Sequence, residues 1–473
     1  MFYKIFRVNK RKIAMTLWVK LFLAIIFFII LNAIFQWMAI DFGYKRYFIG
    51  AELLLAVLIF GFVNQWLGFC AFFFAVILEV AIGLTGVFHF MHLQESLDLL
   101  EFTFLARRDY IFLFGSLFAM SVLCFLVSGR YVSQARSNRI GLLMSLVVAG
   151  LTYSQWVLSM SGENFFTPVH AERSALLFGS AAYIFQNSLD LNRVKQAVNG
   201  DPDIEYRPIR HPSAAQLAIK EGFRSSRILF IVNEAWGLPK DSFMLENQIK
   251  ALRINSHITN IELESVYARG ATAAGELREL CGLIPSRMNF GKMTPELVGE
   301  CLPAKLRKEG YETVAIHGAD SGMYRRSRWY PVLGFEKIFF KEDLPATNVK
   351  CFSFPGYCDR YIFPLLESGL KKRKIFIYWL TLNTHIPYDR RDVVAYREDI
   401  CQSVLGADYN EMLCNYQNLH VQFFEEMARF LKSEVARGLE VIVVGDHPPI
   451  FLDDDSRKRF VSDQVPMLHF VVQ

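Results

Sequence analysis

Two carboxylates and three histidines fall where short apolar runs end in the second half of the chain. Ile228–Val232 runs into Asn233-Glu234, Thr313–Ile316 into His317-Gly318, Ile375–Leu382 into Asn383-Thr384-His385, and Val441–Val444 into Gly445-Asp446-His447. This is the donor mixture that a hard-to-borderline divalent metal asks for. Zn²⁺ takes imidazole nitrogen and carboxylate oxygen, and Mn²⁺ accepts a similar set. A metal of this kind needs a nucleophile beside it, and Arg269-Gly270-Ala271-Thr272-Ala273-Ala274-Gly275-Glu276 offers Thr272. Its small neighbours would let a phosphate approach closely, and metal coordination activates a hydroxyl that is otherwise too weakly acidic. Taken singly, each ending is an ordinary cap or turn, and the Gly/Ala-rich stretch is a loop leading into a helix at Leu277–Leu280. It is the concerted set of four that points to chemistry.

The elements that must position these residues alternate. Strands are expected at Ile228–Val232, Thr313–Ile316, Ile375–Leu382, Val441–Val444 and Met467–Val471, with helices between them at Pro295–Glu309 and Tyr416–Ala436. Continuous apolar runs of this length suit strands buried on both faces of a mainly parallel sheet, and the alternation with helices predicts an α/β sandwich. Ligands of such folds bind beyond the carboxyl ends of the strands, where the polar residues stand.

The first third of the chain is different in kind. Of 473 residues, 53% are hydrophobic and 43 are Phe, and the mean hydropathy is +0.24. Five segments are long and apolar enough to be read as an α-helical transmembrane bundle: Leu17–Ile40, Tyr47–Leu67, Phe69–His89, Tyr110–Val127 and Ile140–Leu158. The second and third are nearly contiguous and predict a tight helical hairpin. Lys4, Arg7, Lys10, Arg11 and Lys12 before the first span, and Arg130, Arg136 and Arg139 before the fifth, place both on the cytoplasmic side. Everything after Leu158 is then extracytoplasmic. Glu79, inside the third span, is either a functional carboxylate or a bundle-interior group that is protonated or paired to a tyrosine or serine. The expected organisation is a five-span domain over 1–160, a juxtamembrane linker over 161–224 with an amphipathic stretch at Ser174–Val194, and a soluble domain over 225–473.

Six of the eight cysteines lie in that last domain as close sequential pairs, Cys281 with Cys301, Cys351 with Cys358, and Cys401 with Cys414. An even number so arranged fits disulfides in an oxidising compartment, such as a Gram-negative periplasm. A zinc cluster is the rival reading, and it lacks CxxC spacing. The net charge of +5 is modest and several basic residues flank the spans, so no nucleic-acid partner is expected.

The ordered set Asn233-Glu234, Thr272, His317-Gly318, Thr384-His385 and Gly445-Asp446-His447 resembles the alkaline phosphatase superfamily. More narrowly it resembles the membrane-anchored lipoteichoic acid synthases and phosphoethanolamine transferases, sulfatase-like enzymes with a five-span bundle and an extracytoplasmic catalytic domain. The resemblance implies that Glu234, Thr272, Asp446 and His447 hold one divalent metal, Zn or Mn, and that Thr272 is the covalent nucleophile. It also implies that Glu276, His317, Tyr324, Arg326 and His385 line the head-group pocket, with Arg325 or Arg328 as alternatives to Arg326. The implied reaction moves a phosphoethanolamine or phosphoglycerol head group from a membrane phospholipid, through a phosphothreonine, to an envelope glycan or lipid. A monomer in a bacterial inner membrane, with its catalytic domain in the periplasm, is the implied setting.

The sequence departs from both branches. Its paired cysteines resemble the phosphoethanolamine transferases, its Tyr324-Arg325-Arg326 stretch the synthases, and Pro448-Pro449-Ile450-Phe451 lacks the Gly-Glu-Ser continuation common in the transferases. A further metal-binding histidine of some transferases has no secure counterpart, His469 standing close to the end of the chain. Three other readings stay open. One is a sulfatase built on Cys301-Leu302-Pro303-Ala304-Lys305, a near match to C-x-P-x-R; the others are a phosphodiesterase and a non-catalytic lipid sensor on the same fold.

Overall fold

The computed structural model describes residues 17–41, 44, 46–87, 108–134, 178–180, 206–220, 222–285, 290, 293–345, 351–406, 409–451 and 453–473. The chain divides into two compact units. The first contains α1 (Leu17–Asp41), β1 (Ile49–Gly50), α2 (Ala51–Leu58, continued as a π-helix over Ile59–Val63), α3 (Gln65–Val87), most of α4 (Arg108–Gln134) and β2 (Phe178–Gly179). Trp18–Ile40, Gln65–Gly83 and Ile111–Gln134 are long and apolar enough to cross a membrane. The expected fifth span, Ile140–Leu158, and the expected domain boundary near residue 160 lie outside the described residues.

The expected second span, Tyr47–Leu67, is not a continuous helix. Its helical part is the 13-residue stretch Ala51–Val63, about 20 Å long at 1.5 Å per residue against a hydrocarbon core of about 30 Å. Asn64 ends it by turning extended, at φ −151° and ψ 133°. Its side-chain oxygen then accepts from the backbone of Trp66 at 2.8 Å and Leu67 at 3.1 Å, starting α3. The tight hairpin is formed nonetheless. A Cβ on Gly68 would lie 2.4 Å from the backbone of Phe60, so only glycine allows the two helices to meet so closely. Most of the expected amphipathic stretch Ser174–Val194 lies outside the described residues; within it, Phe178–Gly179 is a short strand that pairs parallel with β1.

Among the described residues, the hydrogen-bond partner of Glu79 is Arg46 rather than a tyrosine or serine. Arg46 grips it with two hydrogen bonds, Nε to Oε2 at 2.8 Å and Nη2 to Oε1 at 2.7 Å. The same guanidinium donates to the carbonyls of Tyr47 at 2.7 Å and Phe48 at 3.1 Å. A buried charge needs such full pairing.

The second unit is a three-layer α/β/α structure. Its seven-stranded sheet has the order β5-β11-β10-β4-β9-β7-β8, where β4 is Arg227–Asn233, β5 Glu262–Tyr267, β7 Glu312–His317, β8 Lys337–Phe339, β9 Ile375–Leu380, β10 Glu440–Gly445 and β11 Gln464–Val471. A small two-stranded sheet pairs β3 (Tyr206–Pro208) with β6 (Leu283–Pro285). The large sheet is mixed rather than mainly parallel throughout: β10, β4, β9, β7 and β8 are parallel neighbours, while β11 runs antiparallel to both β10 and β5. All five expected strands are present. The edge strands β5 and β8 escaped the sequence because charged and half-exposed residues interrupt their apolar pattern.

Alternate residues along the central strands enter two separate cores. Phe230, Val232, Tyr378, Ile442 and Val444 pack against α6 (Thr272–Cys281) and α7 (Leu302–Lys308), while Leu229, Ile231, Trp379, Val441 and Val443 pack against α5 (Ser242–Arg253) and α8 (Glu411–Phe430). The expected helix Pro295–Glu309 is broken into Pro295–Val298 and α7 by Gly299, whose φ is +64°. The three sequential cysteine pairs are all disulfide-bonded.

Candidate active site

The four polar strand endings belong to four consecutive strands. In β10 and β4, Gly445 pairs with Asn233, so Asp446 and Glu234 leave the sheet side by side. Leu380 of β9 pairs with Val232 on one side and His317 of β7 on the other. Thr272 opens α6, and its hydroxyl lies 3.3 Å from Glu234 Oε2 and 3.4 Å from His447 Nε2. His447 Nε2 is 3.3 Å from Asp446 Oδ2 and 3.6 Å from Glu234 Oε1. All four residues are buried.

Close approach makes this cluster possible. A Cβ on Gly275 would come within 3.0 Å of Asp446 Cβ and of its carbonyl oxygen, so glycine one turn after Thr272 lets the helix rest on the strand end. Arg278, unremarked in the sequence, fixes that contact. It donates to Asp446 O and Gly445 O at 2.9 Å each, and its Nε donates to Glu279 at 2.7 Å. On the other side, Thr381 Oγ1 accepts from the Glu234 amide at 2.9 Å and Thr384 Oγ1 donates to the Glu234 carbonyl at 2.5 Å.

The donor set fits a divalent cation. Glu234, Asp446 and His447 each offer a ligand atom within 4.8 Å of the others. Asp446 Oδ1 accepts from the amides of Ala235 and His447, at 2.7 and 2.8 Å, whereas buried Oδ2 accepts no hydrogen bond among the described residues and has only His447 Nε2 near it, at 3.3 Å. An acceptor so placed calls for a cation or proton. His447 Nδ1 donates to Pro448 O at 2.8 Å, which leaves Nε2 as the metal-facing nitrogen. Two carboxylates crowded around one imidazole split their titrations. For His447, burial opposes charge but Asp446 and Glu234 push its pKa up. Burial would raise Glu234, yet His447 and His385 hold it down; burial and the Glu234 charge raise Asp446.

His317 and His385 follow the same pattern as His447. His317 Nδ1 donates to Leu380 O at 3.1 Å and His385 Nδ1 to Ile386 O at 2.6 Å, so each keeps Nε2 for another partner. Burial and the nearby Arg326 charge hold His317 neutral, well below the usual imidazole range. The turn carrying His385 is set by Asp359, also unremarked in the sequence. Its carboxyl accepts from the amides of Leu382 at 2.9 Å and Asn383 at 2.7 Å, and burial pushes it up to about 7 against their pull.

Glu276 and Arg326, both buried, face each other. Arg326 donates to Glu276 Oε2 from Nε at 2.9 Å, with Nη2 at 2.8 Å from the same oxygen. Tyr378 donates to Oε1 at 3.0 Å and Tyr330 donates to it as well. The guanidinium lies over the Tyr324 ring, 5.0 Å from its centroid. Tyr324 and Arg325 both adopt left-handed φ, 52° and 55°, a strained conformation of the sort retained at functional sites.

His420 on α8 was not anticipated. Its ring stands edge-to-face with Tyr416 at 4.4 Å, and both ring nitrogens are buried without a hydrogen-bond partner among the described residues. No pattern in the sequence marks it, because it sits mid-helix among apolar neighbours. His469 pairs instead with Glu440 at 2.8 Å, at the opposite end of β10 from Asp446. Cys301 is bonded to Cys281, which removes it as a formylglycine precursor.

The chain resembles known proteins in one family model and in several solved structures. Residues 248–454 match the sulfatase family model, a stretch that holds Thr272, His317, His385, Asp446 and His447 but begins after Glu234. No curated protein matches the chain. Among solved structures, the chain is similar to the lipoteichoic acid synthase LtaP from Listeria monocytogenes, with 18% identity and a TM-score of 0.40 over 52% of this chain and 65% of that one, just under two thirds of its length. It is similar to the phosphoglycerol transferase GacH from Streptococcus pyogenes, in complex with sn-glycerol-1-phosphate, at 17% identity and TM-score 0.36 over 54% of this chain and 72% of that one. It is also similar to the lipooligosaccharide phosphoethanolamine transferase EptA from Neisseria meningitidis, at 14% identity and TM-score 0.42 over 96% of this chain and 88% of that one. The match to the sulfatase family model is confined to the C-terminal part of this chain.

Proposed function

We propose that the protein transfers a phospholipid head group, phosphoethanolamine or phosphoglycerol, to a glycan or lipid of the bacterial envelope, with Thr272 as the covalent nucleophile. The observation that carries this reading is the Thr272 hydroxyl within 3.4 Å of both Glu234 and His447, beside a buried Asp446 Oδ2 that accepts no hydrogen bond among the described residues. Glu234, Thr272, Asp446 and His447 would hold one divalent cation, Zn or Mn. When bound, such a cation lowers the pKa of a coordinated hydroxyl and offsets charge on a phosphate.

Thr272 Oγ1 attacks the phosphorus of the donor. The new Oγ1–P bond replaces the bond to the diacylglycerol oxygen, which leaves with a proton. An acceptor hydroxyl then attacks the same phosphorus, gives up its proton, and returns Thr272 to its starting state. His317 and His385, each with Nδ1 committed to a carbonyl, would present Nε2 to substrate hydroxyl or phosphate groups as proton acceptors or donors. Tyr324 would border the head group. In this reading Arg326 acts chiefly through Glu276, bracing the 317–326 loop against the helix that bears Thr272. The setting is an inner membrane, with the catalytic domain on the periplasmic side as a monomer; the three disulfides and the apolar helices support that placement.

The test is peptide mass spectrometry on protein purified from its native membrane, alongside Thr272→Ala. A phosphoethanolamine or phosphoglycerol adduct on the Thr272 peptide, absent in the variant, is the expected result. No adduct, with envelope glycans unchanged in the Thr272→Ala strain, would overturn the reading in favour of a sensor.

A further inference from the structure

On the face of the sheet covered by α8, a cavity of about 640 Å³ opens between that helix and the chain segments at Arg360–Pro364 and Val394–Arg397. Ligand sites of small molecules run to about 300–1,000 Å³, so this one has room for one or two sugar units. Its apolar walls are Phe363 and Phe430, and its charged ones include Arg360, Arg397 and Arg429.

The three arginines are not equivalent. Arg397 is taken up by Glu425 at 2.8 Å. Arg360 and Arg429, among the described residues, make no side-chain hydrogen bond and no close ion pair. Arg360 Nε is buried with no acceptor at all, and its guanidinium is held over the Tyr361 ring, 5.0 Å from the centroid. A buried donor left unsatisfied is destabilising, and a stacked guanidinium is pre-organised to bind an oxyanion. Glu426 lies near both arginines. Burial raises its carboxyl to about 7 despite them, and Glu367 also lines the cavity.

A second, smaller cavity shares Arg360, Gln422 and Glu426 with the first and is lined by Asp359 and Asn383. Asp359 accepts from the Asn383 amide at 2.7 Å, and Asn383 Oδ1 accepts from the Asp359 amide at 2.6 Å. This clasp precedes Thr384 and His385, so the smaller cavity abuts the turn that supports one side of the candidate active site.

We propose that this cavity is a second binding site, separate from the Thr272 cluster, for a phosphorylated sugar. Arg360 and Arg429 hold the phosphate, and the aromatic walls receive the sugar ring. The combination favours a sugar phosphate over a bare anion, which would leave the apolar walls unused, and over a neutral sugar, which would leave both guanidiniums unpaired.

The experiment is isothermal titration of the full chain in detergent with N-acetylglucosamine 1-phosphate, the neutral methyl N-acetylglucosaminide and inorganic phosphate. It is repeated on Arg360→Gln, Arg429→Gln and Thr272→Ala. The sugar phosphate should bind most tightly of the three. Each arginine variant should weaken it by about 10- to 100-fold, as expected for a charge-assisted hydrogen bond, and Thr272→Ala should leave it unchanged. Arg429 is exposed, so its variant reads the site even if Arg360→Gln disturbs folding. No binding, binding as tight as the parent's in both arginine variants, loss of binding in Thr272→Ala, or equal affinity for phosphate alone would each overturn the proposal. None of these readouts requires turnover, so failure of the transferase reading would leave the result standing.

Discussion

Arg278 donates to the backbone carbonyl of Asp446 at 2.9 Å, tying the helix that begins with Thr272 to the strand end that precedes His447. The nucleophile and two candidate ligands thus come from separate segments, and one buried side chain sets their spacing.

Replacing Arg278 by alanine should therefore damage stability and chemistry together. Two buried carbonyls would lose their donors and Glu279 would lose its ion-pair partner, which is buried on both sides. Breaking a buried pair of this kind destabilises by about 3–5 kcal/mol. The expected outcome is a lowered unfolding midpoint and a loss of metal content. Unchanged metal content in a folded Arg278→Ala protein would show that the spacing is set by something else.

Removing metal should destabilise the native protein, because a ligand bound only by the folded state adds RT ln(1 + [L]/Kd), or about 2.7 kcal/mol at a hundredfold excess over Kd. The buried Asp446 Oδ2, which accepts no hydrogen bond among the described residues, predicts where that linkage lives. A chelator should lower the thermal midpoint of the parent protein and leave Asp446→Asn nearly unmoved. Equal shifts in both would place the cation elsewhere.

The legible part of this architecture was the part written locally. Ile228–Val232, Val441–Val444 and their polar endings could be read because buried central strands are continuous apolar runs, and the residue leaving such a run stands at the sheet's carboxyl edge. Arg278 and Asp359 escaped because their importance lies in which distant backbone groups they meet, and no spacing records that. Arg326 was legible as a charge near the site but not as a partner of Glu276, 50 residues earlier in the chain. In the membrane-type unit, hydropathy counted apolar residues across Asn64 without registering the break it makes. For Glu79 the sequence suggested a tyrosine or serine partner and not Arg46, which lies 33 residues away.

The Arg46–Glu79 pair makes its own prediction. Both side chains are 2% exposed, so Glu79→Gln alone strands a buried guanidinium, whereas Arg46→Met with Glu79→Met removes both charges. The single variant should cost about 3–5 kcal/mol, and the double should recover much of it, as replacement of buried pairs by apolar groups generally does. Thermal inactivation of the full chain in detergent would compare them. A double variant no better than the single one would mean that the pair also satisfies the Tyr47 and Phe48 carbonyls in a way methionine cannot replace.

His420 predicts an acid sensitivity that belongs to the fold rather than to turnover. Burial lowers its pKa from 6.5 to about 3 in the folded protein, the nearby Glu234 only partly opposing this. An unfolded chain takes up a proton on this ring below pH of about 6.5, while the native state refuses it until about pH 3. Between those values the unfolded state binds one proton more, so stability falls with acidification at about 1.4 kcal/mol per pH unit from this group alone. Over the full window that is of order 4–5 kcal/mol. Above pH 7 both states are neutral and the term vanishes. His420→Leu should then be neutral or stabilising at pH 7.5, since it removes two buried nitrogens with no partner among the described residues, and it should flatten the acid limb relative to the parent. Hydrogen exchange of the β4 and β10 amides in the full chain, measured from pH 7.5 down to 4.5 and corrected for intrinsic exchange, reads this difference directly. Parallel pH profiles for the two proteins would mean that His420 is protonated or hydrogen-bonded in the native state.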